Sequence, residues 1–106
     1  MTTRYRRFDW DRPKPITTGN LALAMPEHVD EPARERFAHG AIRASTLCSE
    51  AQQGCRDLMR GDLEAAYYSF DRAAEDLAQS GDDDGFDTCA WLRDQIEGLQ
   101  PGKETP

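Results

Sequence analysis

Apolar and small residues recur at helical spacing through the middle of the chain. Phe37, Ala41, Ala44, Cys48, Ala51, Cys55 and Leu58 follow one another at 4, 3, 4, 3, 4 and 3 residues, the a/d spacing of a packed helix. Ile42, Leu47 and Met59 widen this seam. Asp30-Glu31-Pro32 supplies its start: an aspartate N-cap, then an acid and a proline in the first turn, where no needed N–H is lost. The spacing predicts a helix from residue 30 to residue 59. Gly40 and Gly54 lie inside it, each about 1 kcal/mol less favourable there than Ala. Gly40 marks the point where the helix would divide in two.

A second stripe, Leu63, Ala66, Tyr67, Phe70, Ala73, Ala74 and Leu77, steps by 3, 1, 3, 3, 1 and 3, which gives a wide core-facing side. Gly61 is suited to end the preceding helix and Asp62 to cap this one, so the two helices are expected to be antiparallel neighbours. Glu64, Asp71, Arg72, Glu75 and Asp76 occupy the other face. Ser80 to Gly85 reads as a loop by composition. A third helix, capped by Asp84 or Asp87, carries Phe86, Cys89, Leu92, Ile96 and Leu99 on one side, with Trp91 beside them. Gly98 and Pro101 end it, and residues 101–106 read as a disordered tail.

Residues 1–29 follow neither period. Pro13 and Pro15 hold the chain extended. Gly19-Asn20 suits a tight turn, but the flanking runs are short and Leu21 to Ala24 is poor in strand formers. An extended linker laying Ile16, Leu21, Leu23 and Met25 across the helices is the expectation. The fold class is therefore all-α: a small bundle of three helices, or four if the first divides, over residues 30–100, with an extended basic and aromatic arm and linker over 1–29.

Composition makes this core thin. Leu, Ile, Val and Phe make up only 16 of 106 residues, while Ala alone contributes 13. With a net charge of −7, that composition borders on disorder. The Ala-rich seams restore order by letting helices approach closely, and burial is expected to be completed against a partner or by self-association. The charge is also uneven. Residues 1–14 hold five basic and two acidic side chains, whereas 61–87 hold nine acidic and one basic. So acidic a chain is not expected to bind nucleic acid directly or an anionic membrane. No leader-like segment and no run of about 18–20 apolar residues is present, and three cysteines is an odd number. Free thiols in the cytoplasm are expected.

Residues 61–77, GDLEAAYYSFDRAAEDL, resemble the second helix of a tetratricopeptide (TPR) repeat. The family's turn glycine falls on Gly61, its large apolar residue on Leu63, its alanines on Ala66 and Ala73, and its aromatic on Phe70. In the preceding helix Gly54 agrees, while Glu50, Gln53 and Asp57 stand at positions that are apolar in the family. A one-residue shift places Ala51, Gly54, Cys55 and Leu58 instead, and Ala78 replaces the closing proline. With a single copy, residues 47–78 resemble a TPR-like hairpin and not an array. The resemblance implies protein–protein binding through a helical face, without catalysis.

Other constellations are sparser. Arg34 and His39 have the R-x4-H spacing similar to that of HEPN-type ribonucleases, in which His moves protons at a phosphate; Glu35 and His39, four apart, also suit a surface pair. Asp82-Asp83-Asp84-Gly85 resembles part of a calcium loop, but Trp91 stands where the bidentate Glu belongs, so a solvated acidic loop is expected. Cys48 and Cys55 are two helical turns, about 10 Å, apart, which suits neither a disulfide nor a shared metal. They and Cys89 read as buried small hydrophobes. No cofactor and no metal is expected.

The function expected from these features is a non-enzymatic interaction module: an adaptor, chaperone-like binder or inhibitor whose acidic helical face meets a protein with a basic surface. The candidate partner-binding residues are Tyr67, Tyr68, Asp71, Glu75, Asp76, Asp82, Asp83, Asp84 and Trp91, with Arg6, Phe8 and Trp10 in the arm. Two alternatives are an acidic nucleic-acid mimic that inhibits a DNA- or RNA-binding complex, and a HEPN-like helical ribonuclease.

Overall fold

Thr17 opens the first helix by accepting the Asn20 N–H on its hydroxyl at 3.1 Å. That helix, α1 (Thr18–Ala24), is followed by α2 (Glu31–Ser45), α3 (Ser49–Met59), α4 (Leu63–Gln79) and α5 (Asp83–Leu99). This computed structural model describes residues 15–99. The described residues form helices and turns with no strand. Arg6, Phe8, Trp10 and the expected tail at 101–106 lie outside them.

The stretch expected to be an extended linker is thus helical over 18–24. Two forces override the weak pattern: the Thr17 cap, and burial of Leu21 and Met25, which are four apart and so share one helix face. Leu23 points outward.

The helix expected over 30–59 does break, but at Thr46 to Cys48 and not at Gly40. Ser45 Oγ donates to the Ile42 carbonyl and Thr46 Oγ1 to the Arg43 carbonyl, each at 2.7 Å. The Thr46 and Leu47 N–H groups close tight turns on Arg43 and Ala44. With its last carbonyls satisfied in this way, α2 stops, and Cys48 resets the chain in extended conformation (φ −160°, ψ 162°). The seam survives the break: Phe37, Ala41, Ala44, Ala51, Cys55 and Leu58 are all buried, and Cys48 is half-buried. Gly40 remains helical. A Cβ there would stand 3.3 Å from Trp91 Cζ3, so the glycine lets the indole lie close to the α2 backbone.

The α3–α4 and α4–α5 connections are built alike. Gly61 (φ 81°) and Gly81 (φ 85°) adopt the left-handed conformation that ends each preceding helix. The Gly61 and Asp62 N–H groups donate back to Leu58 and Asp57, and those of Gly81 and Asp82 to Ala78 and Leu77, as in a Schellman motif. Each aspartate then caps the next helix: Asp62 Oδ1 accepts from Ala65 N–H at 3.0 Å, and Asp82 Oδ1 from Gly85 N–H at 2.9 Å. The loop expected over 80–85 is therefore a short turn. Asp82, not Asp84 or Asp87, is the cap of α5.

Successive helices α2 to α5 pack each on the next, and α2 also packs on α5, closing a ring; α1 lies across α2 and α3. Phe70, Leu21, Leu58, Leu92, Ile96, Cys55 and Cys89 fill the interior. Buried alanines on α2, α3 and α4 keep the helices close.

Candidate functional site

Because Ala66, Phe70, Ala73, Ala74 and Leu77 take the inner side of α4, its outer side is left to Glu64, Tyr68, Arg72 and Glu75, all exposed. Tyr68 is 51% exposed and meets Tyr67 edge-to-face, with ring centroids 5.3 Å apart. Tyr67 itself is half-buried against the core. The remaining α4 acids diverge. Asp71 turns towards α5 and accepts from Arg93 Nη1 at 3.0 Å. Asp76 turns towards α3, where its carboxyl neighbours that of Glu50. Their mutual interaction holds the Glu50 carboxyl below its usual range and pushes Asp76 above it.

Asp82 is occupied as a helix cap. Asp83 and Asp84 lie in the first turn of α5, where the helix dipole favours negative charge. Asp84 also lies 4.0 Å from Arg43. The aspartate run is therefore a helix start, and among the described residues no three His, Cys, Asp or Glu side chains are placed to hold a metal ion.

Trp91 stands apart from the tyrosines. Its ring lies 6.2 Å from that of Phe37 and over Gly40, both on α2. It lines an open groove of about 480 Å³ between α2 and α5, with Arg36, His39, Gly40, Arg43, Asp87 and Thr88. Basic side chains spaced 36, 39 and 43 share one helix face, a signal present in the sequence but masked by the overall acidity.

His39 therefore faces this groove, whereas Arg34 is engaged elsewhere. Arg34 Nε donates to the Val29 carbonyl at 3.0 Å, and Nη2 to those of Glu27 and Pro26 at 3.1 and 3.4 Å. It ties down the α1–α2 connection and lines a different pocket, beside Gly19, Leu23 and Glu31. The R-x4-H spacing does not bring its two side chains to one concavity.

One buried charged residue carries a role that sequence reasoning did not assign. Asp57 on α3 is 2% exposed. Its carboxylate accepts from Ser69 Oγ of α4 at 2.9 Å and from Gln53 Nε2 at 3.0 Å, and pairs with Arg60. Gln53, Asp57 and Arg60 have helical spacing, but only the fold brings Ser69 to them. The thiols are also core elements. Burial pushes Cys55 and Cys89 up to about 12, and Cys55 Sγ donates to the Ala41 carbonyl at 3.4 Å. All three cysteines are free.

Compared with protein-family models, curated proteins and solved structures, the chain matches none of them. Among the described residues no helix is long and apolar enough to cross a membrane.

Proposed function

We propose that this chain is a small non-enzymatic interaction protein, an adaptor, chaperone-like binder or inhibitor, that docks a basic protein partner on the outer face of α4. The observation that carries the reading is Tyr68: a large aromatic, 51% exposed, braced by Tyr67 and set among the charged side chains of Glu64, Arg72 and Glu75. An aromatic anchor inside a polar rim is the usual energetic centre of a protein interface. The neighbouring carboxyls of Glu50 and Asp76 support the same reading, because two like groups side by side attract an arriving Lys or Arg side chain. The resemblance of residues 47–78 to a TPR-like hairpin within a small helical bundle points to the same class of work. Its free thiols suit a reducing compartment such as the cytoplasm.

The test is affinity capture from host cells with immobilised wild-type protein and with Tyr68→Ala and Glu75→Lys variants. The reading expects at least one retained protein that elutes as salt is raised and is lost from both variants. An identical set of retained proteins on all three would contradict it.

A further inference from the structure

We infer that the basic partner of the α4 face is a second copy of this chain, which receives Tyr68 in the α2–α5 groove. This rests on the reading of α4 given above and names its partner. The two surfaces are complementary in kind. On α4, Tyr68 lies between Glu64 and Glu75 along the helix, with Arg72 inside that span, and all four are exposed, so two carboxylates stand there against one guanidinium. On α2, Arg36 and Arg43 bracket Gly40, over which Trp91 lies, with His39 between them. An aromatic knob whose rim is acidic on balance (Glu64 and Glu75 against Arg72) thus faces an aromatic-lined groove that is basic on balance (Arg36 and Arg43 against Asp87), and about 480 Å³ leaves room for a tyrosine side chain.

Neither Arg36 nor His39 has an ion-pair partner among the described residues, and Arg43 has only the 4.0 Å approach of Asp84. Arg34, Arg60 and Arg93, by contrast, are each committed to acceptors of their own molecule. Arg36 and His39 are therefore available to carboxylates from outside, although Asp87 also lines the groove.

Knob and groove cannot satisfy each other within one molecule. In the helix ring α4 packs on α3 and α5, and α2 stands across from it. Each chain thus offers one donor and one acceptor surface, which two molecules pair across a two-fold axis or which many join head to tail. The net charge of −7 opposes approach at long range. Local pairing prevails once that repulsion is screened beyond about 8 Å, as at about 0.15 M salt.

Sedimentation velocity at that ionic strength, with chain concentration raised from about 10 µM to about 1 mM, tests the inference. The wild type is expected to gain mass with concentration. Glu64→Lys/Glu75→Lys reverses the knob and Arg36→Glu/Arg43→Glu reverses the groove; each alone is expected to weaken association by about tenfold or more with unchanged circular dichroism. An equimolar mixture of the two restores opposite charges at both contacts and is expected to recover association. Tyr68→Ala weakens association without altering charge, and so serves if a reversed variant fails to fold. A wild type monomeric throughout, variants that associate as well as wild type, or a mixture that does not recover would overturn the inference. If the wild type is monomeric while Tyr68→Ala still loses a captured protein, the self-docking fails and the docking role of α4 stands.

Discussion

The Phe70 ring lies against the backbone of Gly54: a Cβ built on Gly54 would stand 2.7 Å from Phe70 Cε2 and 2.9 Å from Cδ2 and Cζ. Phe70 is fully buried. Gly54 thus forgoes about 1 kcal/mol of helix propensity so that α3 and α4 can nest. Overpacking costs about 1–3 kcal/mol and outweighs the propensity gained. Gly54→Ala should therefore lower stability in urea unfolding. Gly98→Ala, with nothing within 4 Å of the new Cβ, should raise it by up to about 1 kcal/mol.

Asp57 joins α3 to α4 through Ser69. Hydrogen bonds to a charged group contribute about 1.5–3 kcal/mol, and a buried hydroxyl left unpaired adds a penalty. Asp57→Ala should cost about 2–4 kcal/mol in urea unfolding. In a double-mutant cycle with Ser69→Ala, the two losses should fall short of additive. Full additivity would show that the 2.9 Å contact contributes nothing.

The matched turns should respond alike. Replacing Gly61 or Gly81 by Ala imposes a left-handed conformation on a Cβ-bearing residue, at about 1–2 kcal/mol. Removing the cap with Asp62→Ala or Asp82→Ala should cost about 1 kcal/mol each. Thermal unfolding of the four variants checks this. An unchanged midpoint for either glycine variant would contradict the turn geometry.

The buried thiols give a pH signature. Cys55 and Cys89 are pushed from 9.0 up to about 12 in the folded chain, so between those values the unfolded chain releases protons that the folded chain keeps. Their contribution is fully present below pH 9 and is lost as pH rises through the folded value. Stability should fall across that window, and Cys55→Ala/Cys89→Ala should flatten the fall. At pH 8, a thiol reagent should label half-buried Cys48 quickly and the other two only upon unfolding.

Much of the helical architecture was legible because burial follows spacing. The seam from Phe37 to Leu58 and the stripe from Leu63 to Leu77 point inward largely as their periods require. The break at Thr46 was not legible, because the 4-3 pattern runs straight through it and its cause is a pair of hydroxyls, not a glycine. Gly40 looked like a breaker but serves close packing with Trp91. The candidate site was legible only in part. Helical spacing put Glu64, Arg72 and Glu75 outward, yet it could not show that Asp71 turns to Arg93, Asp76 to Glu50 and Trp91 to α2. Those partners are distant in sequence and are brought together by the ring of helices.

Carboxylate footprinting of the chain, free and bound to the protein it retains, tests the role of α4 most directly. The account predicts that Glu64 and Glu75 lose reactivity on binding while Glu31, far from that face on α2, keeps its own. Unchanged reactivity at both α4 residues in a fully formed complex would contradict it.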